Sequence, residues 1–183
     1  VTGGTYGWSI DEDTELVNLQ NSILNGEVVT REPAYYAGGT AAAHSGQDWG
    51  NTYAEVDMSA QHMWYVQNGQ VVLETDVVTG EPIPSKITPE GVYSLMWKQP
   101  NSVLVGDINP DTGEPAYRTK VKYWMQVTSS GVGFHDATWQ TAFGGTLYQI
   151  PGTGSHGCIN MPLDQAGALF NMIEPGTPVI FHW

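Results

Sequence analysis

Alternation of apolar and polar positions dominates the chain from about residue 52 onward. Val, Tyr and Trp recur at every second position, and glycines separate the runs. In one such run Val121, Tyr123 and Met125 alternate with a second set rich in Lys and Gln, which is typical of a strand with one buried face. The alternation predicts strands over residues 61–67, 70–79, 91–95, 121–127, 132–135 and 176–183.

One turn and one helix complete the pattern of this region. Asn68 and Gly69 separate the first two predicted strands, and this pair tolerates the two positive φ angles of a type I′ hairpin. Residues 162–173 carry apolar side chains at helical spacing and begin with Pro162, a residue suited to the first helical position. These elements predict a mostly β fold, with antiparallel strands and one packed helix.

The first 51 residues have a different pattern. Residues 13–25 carry apolar side chains at helical spacing, with Asp13 as the expected N-cap. Residues 31–51 contain Pro, Gly and Ala without a sustained period, which predicts a linker. We therefore expect a short α-containing fragment over residues 1–51 and the main domain over residues 52–183.

Composition and charge limit the classes of function. The 183 residues suit one main core, and 22 Gly and 11 Pro indicate a turn-rich globular chain. Six Lys and Arg against 19 Asp and Glu give a net charge of −13, the wrong sign for a nucleic-acid binder. No apolar stretch approaches the roughly 20 residues that a transmembrane helix needs. The chain starts at Val1 without Met, so we expect that a preceding segment, such as a secretion signal, has been removed.

The single cysteine, Cys158, lies in the most informative segment of the chain. One cysteine excludes an internal disulfide and a Cys-rich zinc site. Residues 155–160 read Ser-His-Gly-Cys-Ile-Asn and come directly before the predicted helix, so we expect backbone N–H groups and the helix dipole to favour the thiolate. Gly157 permits a sharp turn that aims adjacent N–H groups at one point, where they stabilise a developing oxyanion.

A thiol nucleophile needs an imidazole partner, and His135 ends a predicted strand 23 residues upstream of Cys158. We expect the pair to act as thiolate and imidazolium. Asp136 follows at once, but neighbouring residues of a strand face opposite sides. Its carboxylate therefore orients the imidazole only if the strand ends or kinks at His135, and otherwise a backbone carbonyl does so.

These residues resemble the signature of the L,D-transpeptidase catalytic domain, the YkuD family. The similarity consists of His135, a loop of 19 residues that is slightly longer than the family's common range, and the motif at residues 155–160. It extends over about residues 52–183. Residues 3–35 also resemble the tail of the wall-associated domain that precedes the catalytic domain in enterococcal-type members.

The resemblance implies an extracytoplasmic cell-wall enzyme of a Gram-positive bacterium, with a YkuD-type sandwich or barrel-like fold and neither metal nor cofactor. Cys158 would attack the carbonyl of the third residue of a peptidoglycan tetrapeptide stem and expel the terminal D-Ala. The acyl group would then pass to an acceptor amine and form a cross-link, with His135 moving the protons. Water as the acceptor would make the protein an L,D-carboxypeptidase. The resemblance also implies covalent inhibition by carbapenems.

The remaining motif residues and two loop aromatics are further site candidates. The resemblance implies these roles: Ser155 and His156 shape the site, Gly157 and Cys158 supply oxyanion donors, and Asn160 holds the turn. Trp139 and Tyr148 lie in the loop between His135 and Cys158. Since loops bind ligands as well as contact solvent, both aromatics are candidates for the walls of a substrate groove, with core packing as the alternative.

Two other classes of function remain as alternatives. A zinc site is one alternative, but the spacing of its four possible N and S ligands matches no paired zinc motif. These ligands are Cys158, His156, His135 and His182. A wall-binding module that keeps the fold without turnover is the rival from a different class. Reactivity of the thiol toward a carbapenem distinguishes that module from an enzyme.

Overall fold

The computed structural model describes residues 5–7, 10–34 and 49–183. These residues belong to two compact units, one that contains residues 51–183 and one within residues 6–50. No helix in these described ranges is both long and apolar enough to cross a membrane. Parts of the predicted linker, and of the segment that resembles a wall-associated domain, lie outside the described residues.

Strands make up most of the larger unit. In chain order they are β1 (Tyr53–Asp57), β2 (His62–Gln67), β3 (Gln70–Asp76), β4 (Gly91–Ser94), β5 (Trp97–Val105), β6 (Arg118–Gln126), β7 (Gly133–Asp136), β8 (Ile159–Met161) and β9 (Pro178–His182). The helices are α1 (Glu12–Leu24), in the smaller unit, and α2 (Leu163–Met172). The prediction of a mostly β fold with one helix after the cysteine is confirmed.

The first sheet contains five strands in the order β3-β2-β1-β9-β4. Its β2–β3 hairpin turns at Asn68 and Gly69, whose φ angles of 53° and 78° are both positive, as a type I′ turn requires. β9 pairs parallel with β1 and antiparallel with β4. The strands of this sheet are mostly antiparallel, as predicted, and its one parallel pair arises because β9 inserts between β1 and β4.

The second sheet contains four strands in the order β5-β6-β7-β8, and β7 and β8 are parallel. The sequence pattern missed β5, because Pro100 and Asn101 in its centre are typical of a turn. β5 is an edge strand, where one side of the backbone has no partner strand and a proline is tolerated. The pattern also missed β8, whose three residues are too few to display a period.

One apolar cluster joins both sheets and α2. It includes the fully buried side chains of Met125, Phe134, Leu169 and Phe181, which come from β6, β7, α2 and β9. Burial of each such side chain contributes about 1.5–3 kcal/mol to the free energy of unfolding. Phe134 of β7 and Ile159 of β8 belong to the same cluster. The two strands therefore have a packed support for the other residues that they carry.

A lysine from β5 donates hydrogen bonds to the free carbonyl groups at the C-terminal end of α2. Lys98 Nζ donates to the carbonyl oxygens of Phe170 (3.0 Å) and Ile173 (2.6 Å) and forms an ion pair with Glu174 (3.0 Å). The last carbonyls of a helix have no partner within the helix, and a cation also interacts favourably with the negative end of the helix dipole. Lys98 therefore ties the edge of the second sheet to the helix.

The smaller unit contains α1, which begins one residue before the predicted start. Asp11, not Asp13, is the N-cap, because its Oδ1 accepts the N–H of Thr14 at 3.0 Å. No side chain of α1, which lies wholly within the described residues, is buried. Its apolar side chains, such as that of Ile23 at 77% exposure, have helical spacing without a packed face. The helix is held locally, by the cap and by the Arg31–Glu15 ion pair (2.8 Å).

Candidate active site

His135 and Cys158 come from adjacent parts of the second sheet. β7 and β8 run parallel, with His135 opposite Asn160, and Cys158 immediately precedes β8. Both residues line one cavity with a volume of about 230 Å³. Parallel pairing of two strands separated by a long loop thus brings the two residues singled out from the sequence to the same cavity.

The turn that carries Cys158 is held by the side chain of Ser155. Ser155 Oγ accepts the N–H of Gly157 (3.0 Å) and donates to the carbonyl oxygen of Cys158 (2.5 Å). Gly157 has a φ of 120°, a conformation that L side chains rarely adopt, and a Cβ there would lie 3.2 Å from Cγ2 of Val132. Because the Gly157 N–H already has a partner, the two oxyanion donors expected from the sequence reduce to one, the N–H of Cys158.

The thiol of Cys158 is not activated in the way the sequence suggested. β8 lies between it and α2, which begins only at Leu163, so the thiol is beyond the first turn in which a helix dipole acts. Burial raises the pKa of the Cys158 thiol to about 11, against a smaller lowering by a hydrogen bond from the backbone of Gly133. The thiol is therefore protonated at neutral pH, and it donates to the carbonyl oxygen of Gly131 (3.6 Å).

The imidazole of His135 is buried and oriented by a backbone carbonyl. Its Nδ1 lies 3.1 Å from the carbonyl oxygen of Asp136. Because a carbonyl only accepts, Nδ1 carries the proton and Nε2 keeps its lone pair. Burial lowers the pKa of His135, against a smaller raising by that hydrogen bond. Both members of the pair are thus neutral at rest, and the expected thiolate–imidazolium pair is not the resting state.

The carboxylate of Asp136 accepts hydrogen bonds from the backbone of the sheet and does not orient the imidazole of His135. β7 continues through Asp136, and the buried Oδ1 accepts the backbone N–H groups of Lys122 (2.7 Å) and Tyr123 (2.8 Å). β6 pairs with β7 only over residues 124–126, so these N–H groups lie just past the end of the ladder. The sequence left two alternatives for orienting His135, and the structure contradicts the one that uses the Asp136 side chain.

Residues 77–90, here named the strap, pack against the turn that carries Cys158. Gly80 of the strap forms a parallel bridge with Ser155. Glu81 is buried, and its Oε1 accepts a hydrogen bond from Lys86 Nζ (2.8 Å), which holds the pKa of Glu81 below its ordinary value. Sequence reasoning missed most of the strap, because residues 80–90 follow no period and the strap contacts the segment 155–160 across 69 to 82 positions of the chain.

Three cavities meet at Cys158, with volumes of about 410, 490 and 230 Å³. Tyr117 lines all three, whereas His135 lines only the smallest. The ring of Tyr117 also lies 5.1 Å from that of His156, which is exposed. Sequence reasoning missed Tyr117, since no signal in the sequence indicates that the β5–β6 hairpin reaches the cysteine.

The two loop aromatics have different surroundings. Trp139 is half-exposed, lines the cavity of His135 and Cys158, and has its ring centroid 5.8 Å from the imidazole. Tyr148 is buried, its ring lies 6.2 Å from that of Trp183, and it lines none of the three cavities. The expectation of a groove wall is therefore wrong for Tyr148, and core packing is its role.

The other predicted polar residues also have defined partners. Asn160 is buried, lines the cavity of His135, and donates from Nδ2 to Oε1 of Gln140. His182, one of the four zinc ligands considered, pairs with Glu55 at 2.9 Å. Among the residues that the structure describes, no three His, Cys, Asp or Glu side chains form a group that could hold a metal ion.

The part of the chain that contains the site matches a known protein family. The family model described as the L,D-transpeptidase catalytic domain matches residues 51–181. The crystal structure of a cysteine-to-serine mutant of Enterococcus faecium L,D-transpeptidase is similar over 100% of this chain and 68% of its own, with 43% identity and a TM-score of 0.80. The E. faecium catalytic domain acylated by ertapenem is 46% identical, over 72% of this chain and 97% of its own, with a TM-score of 0.61.

A curated relative extends the comparison to another genus. L,D-transpeptidase 1 of Mycobacterium tuberculosis is 30% identical over 126 residues, which are 67% of this chain and 47% of the relative. A probable L,D-transpeptidase 3 of the same organism matches over 35% of its length. The chain thus spans between a third and a half of the curated relatives that it matches.

Proposed function

Because the chain belongs to the family of L,D-transpeptidase catalytic domains, we propose that it is a cysteine-dependent acyltransferase that cross-links peptidoglycan stem peptides. Cys158 is the nucleophile and His135 the general base. The proposal rests above all on one observation, the cavity that both residues line on adjacent parallel strands. Ser155, Gly157 and Asn160 hold the turn, and Trp139 forms part of the wall of the substrate groove.

The first step begins with a neutral pair. The thiol leaves the carbonyl oxygen of Gly131, its acceptor in the resting protein, and turns toward Nε2 of His135. Nε2 accepts the proton while sulfur attacks the carbonyl carbon of the third residue of a tetrapeptide stem. The proton acquired by His135 then goes to the nitrogen of the leaving D-Ala as the carbon–nitrogen bond breaks. The product is a thioester between Cys158 and the stem.

The developing oxyanion of each tetrahedral intermediate needs a donor that is already in position. Cys158 N–H is the candidate, because Gly157 N–H donates to Ser155 Oγ. Removal of one such donor in an acyl-transfer enzyme costs about 10²–10³ in rate, so one well-oriented N–H is a substantial part of catalysis.

The second step transfers the acyl group. Nε2 of His135 takes a proton from the acceptor amine as its nitrogen attacks the thioester, and the sulfur leaves and regains a proton from the imidazolium. A new amide between two stems results. Water in place of the amine gives hydrolysis, the L,D-carboxypeptidase outcome. Both reactions use the same side chains, so the acceptor that the groove admits decides between them.

Location, inhibition and domain organisation follow from the same proposal. The substrate lies in the cell wall, so we propose that the protein acts outside the cytoplasm. Ertapenem acylates the E. faecium domain, and the thiol of Cys158 is the corresponding target for carbapenems in this chain. Residues 1–51 are proposed to be the end of a preceding wall-associated domain, and residues 52–183 the catalytic domain.

Intact-mass spectrometry with ertapenem tests the nucleophile and the base. We expect one adduct per chain, no adduct on Cys158→Ser, and strongly slowed acylation of His135→Ala. The control is His62→Ala, which removes an imidazole of β2 that lines none of the three cavities. Wild-type protein that forms no adduct and carries an unreactive thiol contradicts the proposal and favours a wall-binding module.

A second measurement identifies the reaction. A defined tetrapeptide is incubated with the protein, with and without a peptide that carries an acceptor amine, and the products are weighed. Cross-linked dimer together with released D-Ala is the expected result. Tripeptide alone, at a rate that the amine does not change, would show hydrolysis instead of transfer.

A further inference from the structure

Thr88 of the strap joins two backbone segments that are far apart in sequence. Its side chain is buried, with 1% exposure. Its Oγ1 accepts the N–H of Gly80 (2.9 Å) and donates to the carbonyl oxygen of Gly157 (2.7 Å). The hydroxyl proton is therefore committed to the residue before Cys158, because the Gly80 N–H already occupies Oγ1 as a donor.

This hydrogen bond determines which way the peptide between Gly157 and Cys158 faces. A trans peptide is planar, with its C=O and N–H pointing in opposite directions. Because Thr88 holds the carbonyl toward the strap, the Cys158 N–H points away from the strap. Within the described residues that N–H donates to no protein acceptor, so it is free to bind an oxyanion.

The orientation needs such a lock because Gly157 is a flexible point. Glycine adopts positive and negative φ about equally, so the φ of 120° at Gly157 is one of several accessible conformations. The strap can impose it because it is closely packed: a Cβ on Gly80 would lie 1.9 Å from the carbonyl oxygen of Lys86 and 3.0 Å from Cα of Gly157. The hydroxyl of Thr88 is therefore held on rigid backbone.

We propose that Thr88 is a positioning residue for catalysis, which orients the Gly157–Cys158 peptide so that the Cys158 N–H stabilises the oxyanion. The inference rests on the proposed function, because it concerns the acyl-transfer step. Thr88 itself touches neither the substrate nor the sulfur. Without its hydroxyl the peptide samples other orientations, and the stabilisation of the transition state falls while the thiol remains available.

Two reagents separate this role from a general structural one. Ertapenem forms an oxyanion when the thiol attacks its carbonyl, whereas iodoacetamide alkylates sulfur by displacement of iodide and forms none. We expect Thr88→Val to slow acylation by ertapenem about 10- to 100-fold, below the full cost of losing an oxyanion donor. Alkylation by iodoacetamide should change less than about threefold, since the thiol pKa arises chiefly from burial.

Two further variants provide rescue and control. Thr88→Ser restores the hydroxyl and should recover most of the acylation rate. Thr79→Val is the matched control, because Thr79 is also a buried threonine of the strap but its hydroxyl accepts from Nε2 of Gln61 (2.7 Å). If Thr88→Val does not fold, Thr88→Ala removes the same hydroxyl without placing a methyl group against the Gly157 carbonyl, and the same expectation applies to it.

The outcomes separate this inference from the proposed function. Equal slowing of acylation and alkylation in the Thr88 variants overturns the positioning role, and so does an unchanged acylation rate. Failure of Thr88→Ser to recover the rate also contradicts it. If wild-type protein itself is not acylated while iodoacetamide still reacts, the proposed function fails and the inference falls with it. Selective loss of acylation with rescue by serine supports both.

Discussion

Replacement of Asp136 separates two roles that neighbouring atoms of one residue have in this structure. Its backbone carbonyl accepts from Nδ1 of His135, and its carboxylate accepts two N–H groups from β6. Substitution of the side chain leaves the carbonyl in place. A side-chain variant should therefore affect the stability of the sheet and leave the orientation of the imidazole unchanged.

The magnitude follows from the geometry. Both N–H groups donate to the same oxygen, Oδ1, so Asp136→Asn keeps an acceptor and loses only the charge. A hydrogen bond to a charged group contributes about 1.5–3 kcal/mol and a neutral one about 0.5–1.5, so the free energy of unfolding should fall by about 2 kcal/mol. Asp136→Ala leaves two donors without a partner, and we expect a loss of about 2–6 kcal/mol.

Urea denaturation measures these free energies, and ertapenem acylation measures the effect on the site. In a Ser-His-Asp triad, loss of the carboxylate that orients the imidazole costs about 10⁴ in rate. In this protein we expect Asp136→Asn to be acylated within about threefold of the wild-type rate, less than 1 kcal/mol of barrier. A folded Asp136→Asn protein that loses about 100-fold or more would refute the assignment of the carbonyl as the orienting group.

Three further predictions concern the titration of Cys158, the titration of His135 and the end of α2. Because the pKa of Cys158 is about 11, iodoacetamide alkylation should rise about tenfold per pH unit from pH 7 to 10, and a plateau below pH 9 would indicate a thiolate–imidazolium pair. Ertapenem acylation should stay level through neutral pH and fall only at a pH below the ordinary pKa of histidine, because burial lowers the pKa of His135 and keeps its imidazole unprotonated there. Lys98→Met should lower the free energy of unfolding by about 2–4 kcal/mol in urea denaturation, since two helix-end carbonyls lose their donor. Lys120→Met, on the exposed face of β6, should change it by less than about 0.5 kcal/mol, and equal effects of both variants would contradict the capping role.

Local patterns predicted the elements whose formation depends on nearby residues. The Asn68–Gly69 turn and α2 were predictable, because the two positive φ angles and the helical spacing are properties of short segments. β5 was not, because Pro100 is tolerated only on a sheet edge, and the position of a strand in a sheet is not a local property. The N-cap at Asp11 lay within two residues of the predicted one, the usual uncertainty at helix ends.

The residues of the candidate site were likewise predictable from the sequence only in part. The motif at residues 155–160 and an upstream His135 identify the nucleophile and its partner, since only these residue types supply the chemistry. Tyr117 and Thr88 could not be predicted from the sequence, because their roles depend on a hairpin and a strap that approach Cys158 from distant parts of the chain. The ionisation of the thiol was predicted in the wrong direction, because burial outweighs a helix dipole that β8 keeps at a distance.

The sequence by itself determined the chemistry of this protein: one thiol, an upstream imidazole as its partner, and a glycine turn beside the thiol. The tertiary structure alone decided the protonation states, the group that orients each atom and the cavities that reach the sulfur. The physical reason is that residue identity sets what a side chain can do. Its pKa and its hydrogen-bond partners depend on which other segments surround it, and long-range pairing brings those segments there.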